Sequence, residues 1–352
     1  MKKTLILMAL LTFLGTSGLF GQEVFEEGKD LFSTSQVELS AAVNRGQKVY
    51  VVSALNLTGS LIIKASETDR ALFRYRKILK TDSRAEAIDF SRVIDAVSDR
   101  TPDGIKLLLQ APNPAPWSGT ENAGVIEGEL LIPPGCDLYI DAIYFDLDVT
   151  GPCRSLANKS SFGQIRVSNI TDELNVTTVN RNVTAHKITG NISIATSHAD
   201  IIIDSMTADQ GPAYLRNENG NLIVSDFSGA FDIKNEFGKI NLDRIQLRRE
   251  RSRIRASFSP IDLDIIALEE AGLAIKNNNE DIRLVLPPDA SADFSLEVTP
   301  GGEIHATGLN MRTTLVEPNR LDFISGDGVS RIRATIAGHG DIDIKTSDGE
   351  NR

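Results

Sequence analysis

A nine-residue pattern of apolar and polar positions runs through the middle of this chain, from Gly163 to Gln246. Nine units share the pattern, and three extra residues (208–210) follow the fifth unit. The third and fifth positions are apolar in every unit, with mostly polar residues between them. Apolar residues two apart form the buried face of a β-strand. The pattern therefore predicts one short strand per unit, with these residues in the core: Ile165, Val167, Leu174, Val176, Val183, Ala185, Ile192, Ile194, Ile201, Ile203, Ala213, Leu215, Leu222, Val224, Phe231, Ile233, Ile240 and Leu242.

The eighth position of the units carries a second, longer pattern. From the fourth unit onward it alternates between polar and large apolar residues: Ser197, Met206, Glu218, Phe227, Glu236 and Ile245. This alternation predicts an 18-residue rung that stacks in parallel on its copies. An antiparallel meander would also produce nine-residue units but gives no reason for the alternation. The predicted fold class is all-β, a repetitive solenoid-like stack of short strands similar to a single-stranded β-helix.

Turn residues and interruptions divide the pattern. Six of the nine units open with glycine, which takes a positive φ angle in a tight turn without steric cost. Looser units begin at Cys136 and Phe145 and at residues 271 and 280, but Asn158 occupies a position expected to be buried. Residues 247–270 slip out of register. Further strands are predicted at 292–298, 302–307 and 342–345.

The N-terminal part has a different composition. Residues 48–55, 60–65 and 104–110 are strand-like, whereas Ser83-x-x-Glu86 forms a capping box that predicts a helix over Arg84–Arg92. Solenoid ends need a cover because they expose unpaired strand edges. We therefore expect residues 22–120 to form a cap or irregular first rungs, and residues 121–348 to form the strand-repeat domain.

The first residues predict export. Lys2 and Lys3 precede an apolar run from Leu5 to Leu14, and small residues follow up to Gly21. This order is typical of a signal peptide over residues 1–21, because the run is too short to span a bilayer. Without a cysteine at the cleavage position, a lipid anchor is not expected. No second long apolar stretch follows, so we expect a mature chain without a transmembrane segment in the periplasm, on the outer surface or secreted.

Charge limits the choice of partners. The chain has a formal net charge of −11, which becomes −13 if Lys2 and Lys3 leave with the signal peptide. Such a chain repels nucleic acid and anionic lipid as a whole. Contact with an anionic partner therefore requires a local basic patch, and nucleic acid is not an expected partner.

One cluster of cations fits that requirement. Arg248 and Arg249 precede Arg251, Arg253 and Arg255, and on a strand the four odd-numbered arginines project from one face. A solvated strand face is one interpretation. The other is a docking patch for a phosphate- or sulfate-bearing envelope polymer, formed by Arg249, Arg251, Arg253 and Arg255.

The two cysteines, Cys136 and Cys153, predict a disulfide. They lie in a chain expected to reach an oxidising compartment, and no other cysteine or histidine lies near enough to complete a metal site. Their separation of 17 residues is one short of the proposed rung. Two such positions fall on neighbouring rungs, within the reach of a disulfide.

Residues that perform catalysis are scarce. The four histidines are scattered, no nucleophile or phosphate-loop motif occurs, and turns such as 347–350 lack the full spacing of a calcium loop. Three carboxylate pairs have the composition of a glycosidase site but also fit polar positions alternating with core residues: Asp200 with Asp204, Asp262 with Asp264, and Asp341 with Asp343. We therefore expect no enzyme activity, no cofactor and no metal.

Several segments resemble one bacterial family. They are the strands GNISIAT, GNLIVSDF and GKINLDRI, the segment EDIRLVLPPDASADFSLEVTPGGEI, the late GHGDIDIKTSDG and the upstream LLIPPGCDLYID. These are similar to the exported putative-adhesin family of β-strand-repeat proteins, a domain of unknown function with a toast-rack-like shape. The resemblance covers most of residues 120–348. It implies a repetitive β fold and a non-enzymatic role, and it brings no established site residues.

Two classes of function follow. The first is an exported envelope or surface module that binds a glycan or another envelope component through its β faces. The second is a structural or signalling envelope protein that binds a protein partner. A carbohydrate-active enzyme ranks below both.

Overall fold

The structure, a computed structural model, describes residues 23–159 and 162–347. The predicted signal peptide lies outside these ranges. Three of the four residues of the 347–350 turn also lie outside these ranges.

The N-terminal segment combines antiparallel and parallel strands with one helix. Its elements are β1 (Val24–Gly28), β2 (Leu31–Thr34), β3 (Val37–Ala42), β4 (Lys48–Ser53), β5 (Thr58–Ala65), β6 (Arg70–Lys80), α1 (Arg84–Val93), β7 (Asp95–Thr101), β8 (Gly104–Gln110) and β9 (Ala123–Ile132). β6 pairs in antiparallel fashion with β2, β3 and β9, while β4 and β5 pair in parallel with β8 and β9. Antiparallel and parallel pairings thus both occur in this segment. Its interpretation as a cap or as irregular first rungs, with a boundary at residue 120, stays a prediction.

Helix α1 begins where the capping box predicts. The hydroxyl of Ser83 accepts a hydrogen bond from the backbone N–H of Glu86 at 3.3 Å. At the other end, the buried Lys77 ammonium donates to the carbonyl of Ser91 at 2.7 Å. Desolvation lowers the pKa of Lys77. A cation near the last turn of a helix satisfies a carbonyl that would otherwise lack a partner, and so fixes the helix to the sheet beneath it.

The central segment is the repetitive stack. Its strands are β10 (Asp137–Asp141), β11 (Phe145–Lys159), β12 (Ile165–Thr177), β13 (Val183–Thr189), β14 (Asn191–Thr196), β15 (Ile201–Asn219), β16 (Leu222–Phe237), β17 (Ile240–Arg248), β18 (Arg251–Ala256), β19 (Ile261–Glu269), β20 (Gly272–Asn277) and β21 (Ile282–Leu286). The all-β prediction is confirmed.

The parallel registers confirm the 18-residue rung. Ile165 aligns with Val183, and Val183 with Ile201, so each unit pairs with the unit after next. Every third- and fifth-position residue is at most 3% exposed. At the alternating eighth position Met206, Phe227 and Ile245 are buried, whereas Glu218 is exposed and Ser197 and Glu236 are half-buried.

The register slip after residue 246 has a simple structural cause. Ile240 aligns with Ile261, and Ile261 with Ile282, so these rungs contain 21 residues. The same length occurs between Ile201 and Leu222, where the three extra residues lie. Additional residues at a corner lengthen the circuit without moving the strands out of the stack.

Polar side chains connect successive rungs at the second position of the units. The Oδ1 atom of Asn182 accepts from the backbone N–H of Asp200 at 3.0 Å, and Oδ1 of Asp200 accepts from Asn221 at 2.7 Å. Asn221 repeats the contact with Lys239 at 3.0 Å. Asparagine or aspartate at this position thus satisfies a turn N–H that the ladder leaves unpaired.

Asn158 is the departure from the core pattern. It lies between Ile140 and Val176 in the parallel stack and is only 2% exposed. Both polar atoms of its amide lack a hydrogen-bond partner among the described residues. Such a group costs about 1–3 kcal/mol of folding free energy. The structure gives no compensating contact for it.

The C-terminal segment closes the stack out of sequence order. Its strands are β22 (Ala292–Glu297), β23 (Ile304–Thr307), β24 (Met311–Glu317), β25 (Arg320–Ser325), β26 (Ser330–Ile336) and β27 (Ile342–Thr346). β26 lies between β20 and β22, and β27 lies between β21 and β23. β22, β25 and β24 then form an antiparallel end. The last rung in sequence is therefore inserted between earlier ones, which places distant residues side by side.

Candidate functional site

The predicted arginine cluster lies on strand β18 and in the turn before it. Arg251, Arg253 and Arg255 alternate with buried residues along β18 and are exposed. Arg249 is exposed in the turn and has a positive φ of 35°. The strand thus projects three arginines from one face, while Arg249 lies at its end.

The structure adds a second bank of arginines that the sequence did not connect to the first. Strand β20 separates β18 from β26, and two of its three outward residues, Gly272 and Ala274, are small. The register aligns two rows across the three strands: Arg251–Gly272–Arg331 and Arg253–Ala274–Arg333. We name these six residues the basic trough, because arginines form its two banks and Gly272 and Ala274 its floor.

Five of the six residues of the basic trough, all except Arg253, line a larger concave surface. The cavity holds about 640 Å³ and continues past β26 to β22 and β25. Lys276 lies at one end of the floor, and Glu270 at the other. The floor of the cavity therefore follows β20 from Glu270 to Lys276.

Few of these cations are neutralised by the protein. Arg255 pairs with Asp232 at 2.6 Å, and Arg331 approaches Asp293 at 3.6 Å. Among residues 23–159 and 162–347, no carboxylate lies within ion-pairing distance of four other cations: Arg251, Arg253, Lys276 and Arg333. This surface therefore carries excess positive charge in a chain whose net charge is −11.

The far side of the cavity contains an ion pair between Arg320 and Asp322. Arg320 donates two hydrogen bonds to the Asp322 carboxylate, at 2.8 and 3.2 Å. These bonds raise the pKa of Arg320. Burial by itself would raise the pKa of Asp322, but its hydrogen bonds and the charges of Arg320 and Arg333 outweigh burial and hold it below the ordinary value. Asp322 is therefore a fixed anion that bounds the basic surface.

A line of cations crosses the strands beside the trough. Neighbouring strands align four of them in succession: Arg216, Lys234, Arg255 and Lys276. Strands lie about 4.8 Å apart, so these cations follow one another along the stack at that interval. Lys234 pairs with Glu236 at 2.8 Å, and Arg255 with Asp232. The basic surface thus extends beyond the trough in the direction of the stack.

Sequence reasoning found one bank of the trough and missed the other. Arg331 and Arg333 alternate with core residues just as Arg251 and Arg253 do, and this shared spacing was the available signal. About 80 residues separate the two pairs in sequence. Only the insertion of β26 beside β20 brings them to one surface.

The two cysteines are buried free thiols in the structure rather than the predicted disulfide. Backbone hydrogen bonds from Gly135 to Pro152 and from Arg154 to Cys136 place them on neighbouring rungs. Burial raises the pKa of Cys136 to about 11 and that of Cys153 to about 12. Because the thiolate is the reactive form, a bond between them is expected to form before the chain folds. The disulfide stays a proposal.

We expect chain purified from an oxidising compartment to contain no free thiols after denaturation. Reduction or Cys153→Ser should then lower the free energy of unfolding by about 3 kcal/mol, because the bond restricts the unfolded chain. Thiol titration in denaturant, with and without prior reduction, measures the bond. Chain reduced before folding should react only after denaturation. Two titrating thiols in the exported, unreduced chain would exclude the disulfide.

The carboxylate pairs have structural partners. Asp200 and Asp341 accept backbone hydrogen bonds from the next rung. Asp204 pairs with His186 at 2.8 Å, and Asp262 with Lys239 at 2.5 Å. These contacts agree with the interpretation of polar positions alternating with core residues.

Histidines and acidic residues form no metal cluster within the described parts of the chain. No group of three or more histidine, cysteine, aspartate or glutamate side chains converges there. His198, His305 and His339 are exposed, and His186 is half-buried. No helix of the described residues is long and apolar enough to cross a membrane.

No protein-family model matches this chain, and no curated protein matches it. Similar solved structures include a putative cell adhesion protein from Clostridium sporogenes, which is 11% identical with a TM-score of 0.18 and covers 89% of this chain and 100% of that chain. A putative adhesin from Bacteroides fragilis is 8% identical with a TM-score of 0.31, covering 88% and 97%. A putative adhesin from Parabacteroides merdae is 8% identical with a TM-score of 0.29, covering 88% and 96%.

All three structures are named for adhesion. Their TM-scores lie below 0.5, so these likenesses do not assign a function to this chain.

Proposed function

We propose that this protein is an exported, non-enzymatic module that binds an anionic component of the cell envelope through the basic trough. The observation that carries the proposal is the excess of unneutralised cations on one concave surface of an acidic chain. Arginine recognises phosphate and sulfate through directed, charge-assisted hydrogen bonds. A ligand that brings the missing negative charge would relieve the repulsion between the two banks.

Other features agree with this role. The signal-peptide pattern at residues 1–21 supports export, and uniform tight turns support a rigid stack rather than a loop-walled catalytic groove. The names of the structural neighbours also refer to adhesion. For this chain, the proposed surface role rests on its own residues.

The test is capture of envelope material by the mature chain. We expect the retained polymer to be anionic, to be released by high salt and to keep its original length. Replacing Arg249, Arg251 and Arg253 with serine should weaken capture while the melting temperature stays nearly unchanged, since all three are exposed. The matched control removes three exposed arginines that lie outside both the trough and the turn that contains Arg249: Arg45, Arg100 and Arg166.

Equal capture by the two triple variants would exclude the trough as the binding surface. Shortening of the polymer during incubation would exclude a non-enzymatic role.

A second candidate, binding of a protein partner, is favoured by strand β24. Among the described strands β24 pairs only with β25, and Val316 on it is 73% exposed. An open edge strand accepts an extended segment of another chain. A bulge between Thr313 and Leu315 interrupts its hydrogen-bonding pattern, so this candidate ranks second. Capture of one protein in fixed proportion, instead of a polymer, would favour it.

A further inference from the structure

The two rows of the basic trough have a defined spacing. In each row an arginine on β18 faces an arginine on β26 across one intervening strand. With strands about 4.8 Å apart, the α-carbons of the facing arginines lie about 9.6 Å apart. The rows are two residues apart along the strands, which corresponds to about 6.7 Å. The trough therefore offers two equivalent cationic positions in line along β20.

Both floor positions of the trough hold small residues, although the backbone at Gly272 would also accept a larger side chain. A Cβ atom added to Gly272 would meet Arg251 only at 3.7 Å or more, which is ordinary contact, and Gly272 has no positive φ. Ala274, which is also small, forms the floor of the second row between Arg253 and Arg333. Small residues at both floor positions leave room for a ligand between the arginines.

Charge and shape together select the ligand group. Arg253 and Arg333 lie on opposite sides of Ala274. Neither forms an ion pair with a carboxylate of the described residues, although the charge of Arg333 acts on Asp322 at longer range. An anion seated between them must present oxygen atoms in two opposite directions. A tetrahedral phosphate or sulfate does so, whereas a planar carboxylate directs both oxygens toward one side and suits a single arginine fork.

The width of the floor favours an anion within the main chain of a polymer. Only one strand separates the banks, so a sugar ring carrying a pendant sulfate would have to enter beside its own anionic group. A phosphodiester linkage puts the charge in the chain itself. A slim linear chain can then lie along β20 with successive phosphates in the two rows.

We infer that the basic trough binds a linear phosphodiester-linked envelope polymer, with one phosphate between Arg251 and Arg331 and the next between Arg253 and Arg333. The inference rests on the proposed function and deepens it by naming the ligand chemistry. Lys276 extends the cationic path at one end of the floor. Glu270 at the opposite end disfavours a further phosphate there.

The experiment uses synthetic poly(glycerol phosphate) oligomers of increasing length and the full mature chain. Titration calorimetry should show an affinity gain of about tenfold or more from one phosphate to two, because a second charged contact is added. Arg253→Ser combined with Arg333→Ser should remove that gain. Gly272→Leu should weaken the longer oligomers by filling the floor. Arg100→Ser combined with Arg166→Ser makes the same charge change at exposed positions outside the trough and should leave binding unaltered.

Comparison ligands decide between the proposal and its competitors. Sulfated oligosaccharides or polyuronate binding as tightly as the phosphate oligomers, with loss in the trough variant, would overturn the phosphodiester assignment and leave the proposed function standing. An oligothymidylate of equal phosphate number binding as tightly would assign the trough to nucleic acid and overturn the inference. Undiminished binding by the Arg253→Ser, Arg333→Ser variant, both to oligomers and to envelope material, would overturn the inference and the proposed function together.

Discussion

Replacing Ile194 with aspartate is expected to lower the free energy of unfolding by about 4 kcal/mol or more. Ile194 is fully buried and stacks between Val176 and Leu215 on the adjoining rungs. A carboxylate at this position loses its hydration, and the aligned neighbours offer no cation or hydrogen-bond donor. Chemical denaturation of the purified chain at neutral pH measures the loss.

The pH dependence gives this prediction an independent check. Burial raises the pKa of an aspartate above its unfolded value of about 3.9, so the folded state retains the proton more readily. The loss of stability should therefore be smaller below that value and grow as the pH rises above it. Ser193→Asp is the matched control, because Ser193 alternates with Ile194 and is half-exposed. Equal effects of the two substitutions would mean that the fifth position of the unit is not core.

Replacing Gly190 with alanine is expected to lower the free energy of unfolding by about 3 kcal/mol. Gly190 has a φ of 111°, and an added Cβ atom would lie 1.9 Å from the carbonyl oxygen of Asp172 on the rung below. The substitution combines backbone strain with displacement of a neighbouring rung. Thermal or denaturant unfolding measures the sum.

Gly211 separates the two contributions. It has a similar φ of 122°, but an added Cβ atom there meets nothing within 4 Å. Gly211→Ala should therefore cost only the backbone strain, about 1 kcal/mol. The difference in the free energy of unfolding between the two variants measures how strongly the stack resists displacement of the Asp172 carbonyl. Indistinguishable losses would show that the lower rung moves aside freely.

The nine-residue pattern predicted why some units open with glycine but missed the reason at other units. Gly190, Gly211, Gly229 and Gly238 have positive φ, as expected for units that open with a tight turn. Gly163 and Gly220 do not, and at these positions a Cβ atom would collide with a carbonyl of another rung. Sequence reasoning assigned one cause to all of them because a close approach between rungs is visible only after the stack forms.

The corners contain a further feature that the sequence did not reveal. Five residues other than glycine take a left-handed conformation at equivalent places on successive rungs: Asn169, Lys187, Ser205, Asp226 and Arg244. Lysine, serine and arginine have no local preference for this conformation. The stacked strands on either side impose it.

The sequence by itself determined the elements whose signal is local and repeated. Alternation of apolar residues fixed which side chains enter the core, and the two-unit alternation fixed the 18-residue rung. The capping box placed the start of the helix at Ser83. These features follow from interactions between residues that are close in sequence, or between identical units, so a single chain contains all the information needed.

Tertiary structure alone decided which distant strands became neighbours. The pairing of β26 with β20 joins residues about 60 positions apart, and it depends on where the strands β22–β25 leave and re-enter the stack. No local pattern encodes that path. The basic trough exists because this pairing sets Arg331 and Arg333 opposite the arginines of β18. The sequence therefore showed the arginines, but it could not show the site that they form together.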